Sequence, residues 1–343
     1  MSNNLKLAFV GQHEYFLPMY DEDVDDLYIT RRFAAVFDQS SNNEVTPATM
    51  PDLMEFDPDV AIFFRVECFS NSLLSRLKGL KIAISTEPFP KYIDDSFHYT
   101  SDSIRRFKSF LKSAQLGFDY IFHYDATSLR FLEQMGVRLS GPFMLPVATA
   151  TWRGEAPSHP DWDVIFVGRS TIHREMHFGP LKRDLRFLHI SHGVVGKEAL
   201  AFYSRSRIGL NVHSEPELAW EPRVQQLMAA GILVVSEPIS PNDLLLPGEH
   251  YLEVRSPWET YQTCLGILES PEKFEIVRRA GHERVHRELS ARKVWPTLIE
   301  RCLDRDFSKP TFDLARVRLA PLEICAEFDG FEHLLDQLRV RDA

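Results

Sequence analysis

Two stretches in the C-terminal half of this sequence gather groups suited to holding an anion that also carries hydroxyls. Gly168, Arg169 and Arg174 belong to the first, which opens "VIFVG", and His213, Glu217, Glu221, Arg223 and Gln226 belong to the second, "HSEPELAWEPRVQQ". A guanidinium presents a fork of donors that grips two oxygens of one phosphate. The glutamine carbonyl can accept from a hydroxyl, without the charge-assisted part of the bond that a carboxylate would give. Arg223 is the first choice for a phosphate contact. Each residue has a plainer reading: Glu221 complements a helix dipole, the arginines are solvated or ion-paired, and His213 is a satisfied structural histidine. A second set lies in the N-terminal half. His13 and Glu14 follow the first strand, and Glu67 and Glu87 lie just beyond strand ends. Any of them could take the proton from a hydroxyl, and neutral histidine suits that role near pH 7. The plainer readings are an exposed loop histidine and helix-capping acids.

These residues need elements to aim them. In "WEPRVQQLMAAGILVVSEP", Val224, Leu227, Met228 and Gly231 fall on one helical face, and Pro222 suits a first turn. Gly231 supplies a left-handed stop, and Ile232 to Val235 is the apolar run of a strand covered on both faces of a parallel sheet. A helix feeding a parallel strand begins at the sheet edge where such folds bind ligands, so its Glu-Pro-Arg end faces a site. Upstream, Leu5 to Val10 reads as a first strand, with further strands at Val60 to Phe64, Lys81 to Ser85 and Tyr120 to Phe122 and helical patterns between them. The Pro-rich stretch between Gly141 and Asp163 reads as an interdomain crossing, and "VIFVG" restarts the alternation. The expected organisation is a first α/β domain over residues 1–150, a second over 151–305 and a helical tail over 306–343.

Bulk properties exclude several classes. The chain has 343 residues, 44% hydrophobic content and a formal charge of −10, which suits two packed cores and gives no footprint for nucleic acid. Its 4 cysteines form no Cys-x-x-Cys pair, so a reduced cytoplasmic setting and no structural zinc are expected. No apolar run approaches a membrane span; "RRFKSFLK" is an amphipathic helix on the core, or else a peripheral docking element. There is neither a Gly-x-Gly-x-x-Gly dinucleotide turn nor a Gly-Lys-Ser/Thr phosphate loop, and "DVD" at 23–25 lies in an acidic loop outside any metal-site context.

The order strand "RIGLNVH", loop, helix "EPRVQQLMAAG", strand "ILVVS" and loop "EPISPNDLLLPGEHYLEV" resembles the donor half of glycosyltransferases with two facing Rossmann-like domains, the GT-B architecture. It is most similar to the spore-maturation-protein (CgeB-like), family 4-like branch: Arg223, Val224, Met228, Ala229 and Gly231 match its helix, and "HRELSAR" at 286–292 is like a degenerate form of its ending. The resemblance implies an α/β protein of two Rossmann-like domains facing across a cleft, the second holding a nucleotide-sugar donor and the first a glycan or other hydroxyl acceptor. It implies no metal and no cofactor. Related retaining enzymes carry a glutamate on ribose and another eight positions earlier; here those positions hold Gln226 and Leu218, with Glu217 and Glu221 nearby. The rival expectations are a nucleotide-sugar epimerase and a non-catalytic nucleotide-binding scaffold, the latter favoured by Gln226.

Overall fold

The computed structural model describes residues 4–11, 24–34, 49–111, 117–154, 157–216 and 219–313. His13, Glu14 and Glu217, and the helical pattern of the tail, lie outside them. The chain divides into two compact units, one holding the described residues of 6–11, 33–143 and 301–313, the other those of 4–5, 24–32 and 144–300.

The first unit holds β1 (Lys6–Gly11), β3 (Val60–Phe64), β4 (Leu80–Ser85), β5 (Tyr120–His123), β6 (Gly141–Pro142) and the end of β2 (Ile29–Ala34), strands of a sheet in the order β2-β1-β3-β4-β5-β6. From β1 to β6 the pairing is parallel. All of Val60 to Phe64 is buried, as expected of an apolar strand covered on both faces. Phe63 packs edge-on against Phe69 and Phe118, and Phe89 against Phe107. The helix Ser101–Leu111 turns Phe107 and Phe110 into this core with no exposure, so its segment "RRFKSFL" is a core-facing amphipathic helix and its phenylalanines are not available to a membrane. Among the described residues no helix is long and apolar enough to cross a membrane.

The second unit repeats the plan. Its parallel sheet runs β8 (Phe187–Ile190), β7 (Trp162–Val167), β9 (Ser206–Asn211), β10 (Leu233–Ser236) and β11 (Leu252–Glu253). Its helices include α1 (Ile172–Asp184), α2 (Gly196–Tyr203) and α3 (Arg223–Ala229). Helix α3 ends as its sequence demands, with Gly231 at φ +79° and Leu233 to Ser236 fully buried. Gly209, midway along β9, brings α3 and the sheet close together. A Cβ there would lie 2.8 Å from Leu227 Cδ2 and from Ile232 Cδ1.

Candidate functional site

Both sheets begin 2-1-3-4-5, the first adding a sixth strand at its edge, and in this order the chain leaves the first strand to one side and returns on the other. A crevice therefore opens above the C-terminal ends of the first and third strands, the place where open α/β sheets bind ligands. In the second unit those ends are Val167 and Asn211. Arg223, the first residue of α3, spans them: its Nε donates to the Val167 carbonyl at 2.9 Å and its NH1 to Asn211 Oδ1 at 2.9 Å. The guanidinium lies 4.5 Å from the Phe166 ring centroid, and NH2 would be 3.1 Å from a Cβ on Gly168, whose φ is +150°. Glycine is thus needed at 168 both for its backbone conformation and for the arginine beside it.

A cavity of about 850 Å³ opens here, entirely within the second unit. Gly168, Arg169, Glu221, Arg223 and Gln226 line it, and a space of that size accommodates a ligand of several hundred daltons. Of the expected donor residues, the structure brings these to one wall. Arg169 is exposed there. Arg174 is instead behind the wall, 4% exposed, with Nε donating to the Val212 carbonyl and NH1 to the Arg169 carbonyl. Burial, with Arg223 beside it, lowers its pKa to about 10. Its role here is to hold the 169–171 turn and to share Glu221, whose Oε1 is 3.5 Å from its NH2.

Glu221 joins the cationic groups. Its Oε2 is 2.7 Å from Arg223 NH1 and its Oε1 3.3 Å from His213 Nδ1. Burial opposes its charge, but Arg223, His213 and Arg174 outweigh that and hold its pKa far below the carboxylate range. His213 is buried beneath, with Nε2 2.8 Å from the Pro238 carbonyl. Both ring nitrogens face acceptors, so the arrangement favours the doubly protonated ring. Burial alone would lower its pKa; Glu221 and Glu237 reverse that, and the net shift is upward.

Several contributors were not singled out in the sequence. Asn211 positions Arg223 through Oδ1 while its Nδ2 donates to Ser236 Oγ at 2.9 Å. The loop "SHGVVG" from Ser191 to Gly196 forms the far wall, turning through Gly193 and Gly196 at φ +84° and +56°. Two glycines three apart between a strand and a helix are the signal that could have marked it. Tyr203 and Trp152 complete the lining, with ring centroids 5.6 Å apart.

In the first unit, Glu67 and Glu87 meet at one guanidinium. Arg65 follows β3 in the left-handed region at φ 64°, and its Nε is 3.1 Å from Glu67 Oε1 and 3.1 Å from Glu87 Oε1. Glu87 also pairs with Arg106. Burial nevertheless raises the pKa of Glu87 above its ordinary value, against the pull of Arg65 and Arg106. The two acids thus lie together at the C-terminal edge of the sheet, the functional edge by the same topological rule.

Residues 157–300 match the family model described as glycosyl transferase-like. That segment includes the cavity wall from Val167 to Gln226 and leaves out Trp152. No curated protein matches the sequence. Among solved structures, sucrose-phosphate synthase from Thermosynechococcus elongatus is similar at TM-score 0.58 and 10% identity, over 88% of this chain and 100% of that one. Anabaena Alr3699/HepE, in complex with UDP and glucose, is similar at 0.55 and 9%, over 88% and 100%. An alpha-glucosyltransferase in complex with UDP-glucose and DNA containing an abasic site is similar at 0.55 and 11%, over 87% and 99%. At such identities the likeness is one of fold, and the fold is the α/β class with parallel sheets expected of GT-B glycosyltransferases.

Proposed function

We propose that this protein transfers a sugar from a nucleotide-sugar donor to a hydroxyl of a glycan or other acceptor. The observation that carries the reading is Arg223 lodged between the ends of β7 and β9, on the wall of a cavity that also presents Arg169, Glu221 and Gln226. The family match over 157–300 and the UDP and UDP-glucose in similar structures support it. The spore-maturation-protein branch remains part of the reading, on the residues around Arg223.

In the reaction the acceptor oxygen bonds to the anomeric carbon as the bond from that carbon to the diphosphate breaks. The leaving group gains negative charge, which Arg223 and Arg169 offset, so no divalent ion is needed at the diphosphate. Gln226 accepts from a ribose hydroxyl. The acceptor proton goes to a base sought among His13, Glu14, Glu67 and Glu87; of these Glu87, with its raised pKa, is the better matched of the two described. Arg174 and His213 act by holding Glu221 and the 169–171 turn.

The test is thermal unfolding of the purified protein against UDP, GDP, dTDP, ADP and CMP and their sugars, with and without magnesium. One nucleotide should raise the midpoint by mass action, with UDP tried first, and the shift should not depend on magnesium. Arg223→Ala should abolish the shift and lower transfer about 100-fold or more. A folded protein that answers to no nucleotide would overturn the reading. Binding without turnover would favour the scaffold that Gln226 admits, and product formed from donor alone would favour an epimerase.

A further inference from the structure

Behind the cavity wall, His173 and His177 occupy one face of α1, one turn apart. Glu237, the residue after β10, reaches the same point. Its Oε1 is 2.8 Å from His173 Nε2 and 3.6 Å from His177 Nε2, and one ligand atom from each of the three lies within 4.8 Å of the others. None of the three lines the donor cavity.

In the metal-free cluster His173 Nε2 donates to Glu237 Oε1, while the hydrogen bonds around His177 turn a lone pair toward the same oxygen. The Thr260 hydroxyl donates to the Ser256 carbonyl at 2.9 Å, so toward His177 Nδ1, 2.8 Å away, it can only accept. His177 therefore carries its proton on Nδ1 and turns the lone pair of Nε2 toward a carboxylate oxygen. His177 Nε2 and Glu237 Oε1 thus face each other as acceptors 3.6 Å apart, an arrangement that a cation between them would stabilise. The carboxylate is equally prepared. Its Oε2 accepts from the His213 backbone N–H at 2.7 Å, and its own backbone N–H donates to the Asn211 carbonyl at 2.9 Å, leaving Oε1 for the cluster.

We propose that His173, His177 and Glu237 form a binding site for one divalent transition metal ion per chain, with Zn²⁺ as the natural occupant. Two imidazoles and a carboxylate suit zinc, and tetrahedral ligands around it lie about 3.3 Å apart, close to the spacing already present. Thr260 on Nδ1 and the His213 amide on Oε2 are the outer hydrogen bonds that orient such ligands. The fourth position is left for water. The ion ties α1 to the end of β10, and through the His213 amide to the residues beneath Glu221. This site is separate from the diphosphate, and it stands or falls independently of the reading of the cavity.

The experiment uses the full chain with any affinity tag removed. After dialysis against a chelator the protein is titrated with Co²⁺ and Zn²⁺, and metal content is read by mass spectrometry. One equivalent should bind, Co²⁺ should give the intense visible band of a tetrahedral site, and the unfolding midpoint should rise. His173→Asn and Glu237→Gln should weaken binding by about 100-fold or more, and Thr260→Val by about 10- to 100-fold. His282→Asn is the control, since that histidine faces the Met228 carbonyl 2.9 Å away, and should leave binding unchanged. A folded wild-type protein that takes up neither ion, or binding that His173→Asn leaves intact, would overturn the proposal.

Discussion

At the level of single residues, the candidate site depends on how one arginine is seated. Gly168→Ala puts a Cβ 3.1 Å from Arg223 NH2 and forces a side chain onto a backbone at φ +150°. Strain of this kind costs about 1 to 3 kcal/mol. The midpoint of urea unfolding should fall accordingly, and nucleotide affinity should fall further than stability alone explains, because the displaced group is the guanidinium itself. The His213–Glu221 contact gives a second prediction, in pH. His213 has its pKa raised on folding, so its contribution is present below the unfolded value, about 6.5, and is lost as pH rises through the folded one. Glu221 has the opposite sense and loses its contribution as pH falls through its lowered value. The difference in unfolding midpoint between wild type and His213→Gln should therefore shrink as pH rises above about 6.5. A difference that grows over that range would show that the ring is held neutral.

At the level of elements, what was legible in the sequence is what local physics determines. Val60 to Phe64 is a strand with those limits, and the helix, Gly231 and strand from Arg223 to Ser236 form one unit, because helical period, a left-handed glycine and β-branched runs are short-range signals. The same signals carried Arg223, Glu221 and Gln226 to the cavity wall. They failed where an element is held by its neighbours: Ile29–Ala34 is half-exposed and polar, Gly141–Pro142 is two residues long, and the helix Asn71–Leu74 is a single turn. They could not relate Glu237 to His173 and His177 across the sequence, nor see that Arg174 would be buried behind the cavity wall rather than lining it. Gly209 is the element-scale counterpart of Gly168. Gly209→Ala meets Leu227 Cδ2 and Ile232 Cδ1 at 2.8 Å, so those buried side chains, or α3 with them, must give way. Overpacking of this kind costs about 1 to 3 kcal/mol. Since Arg223 rides on α3, chemical denaturation should show the loss and nucleotide binding should weaken with it; unchanged affinity in a destabilised variant would mean that the arginine is positioned by β7 and β9 alone.

At the level of the whole molecule, two α/β units repeat one strand order, yet among the described residues it is the second that carries a cluster of cationic groups at its switch point with a cavity of about 850 Å³ beside it. In the first unit the corresponding edge presents Glu67 and Glu87 around Arg65, a mixed-charge surface on a chain whose formal charge is −10. A polyanion is repelled by such a chain at long range and must be captured by local groups, so affinity for nucleotide should rest on the second unit. A ligand that binds only the native state suppresses the opening of the segments that hold it. Hydrogen exchange with and without UDP, or whichever nucleotide shifts the midpoint, should therefore show protection concentrated in Trp162–Val167, Ser206–Asn211 and Arg223–Ala229. Val60–Phe64 and Leu80–Ser85 should change less. Protection that appears first or most strongly in those two strands would place the nucleotide on the edge that carries Glu67 and Glu87 and would remove the cavity above Val167 and Asn211 from the donor reading.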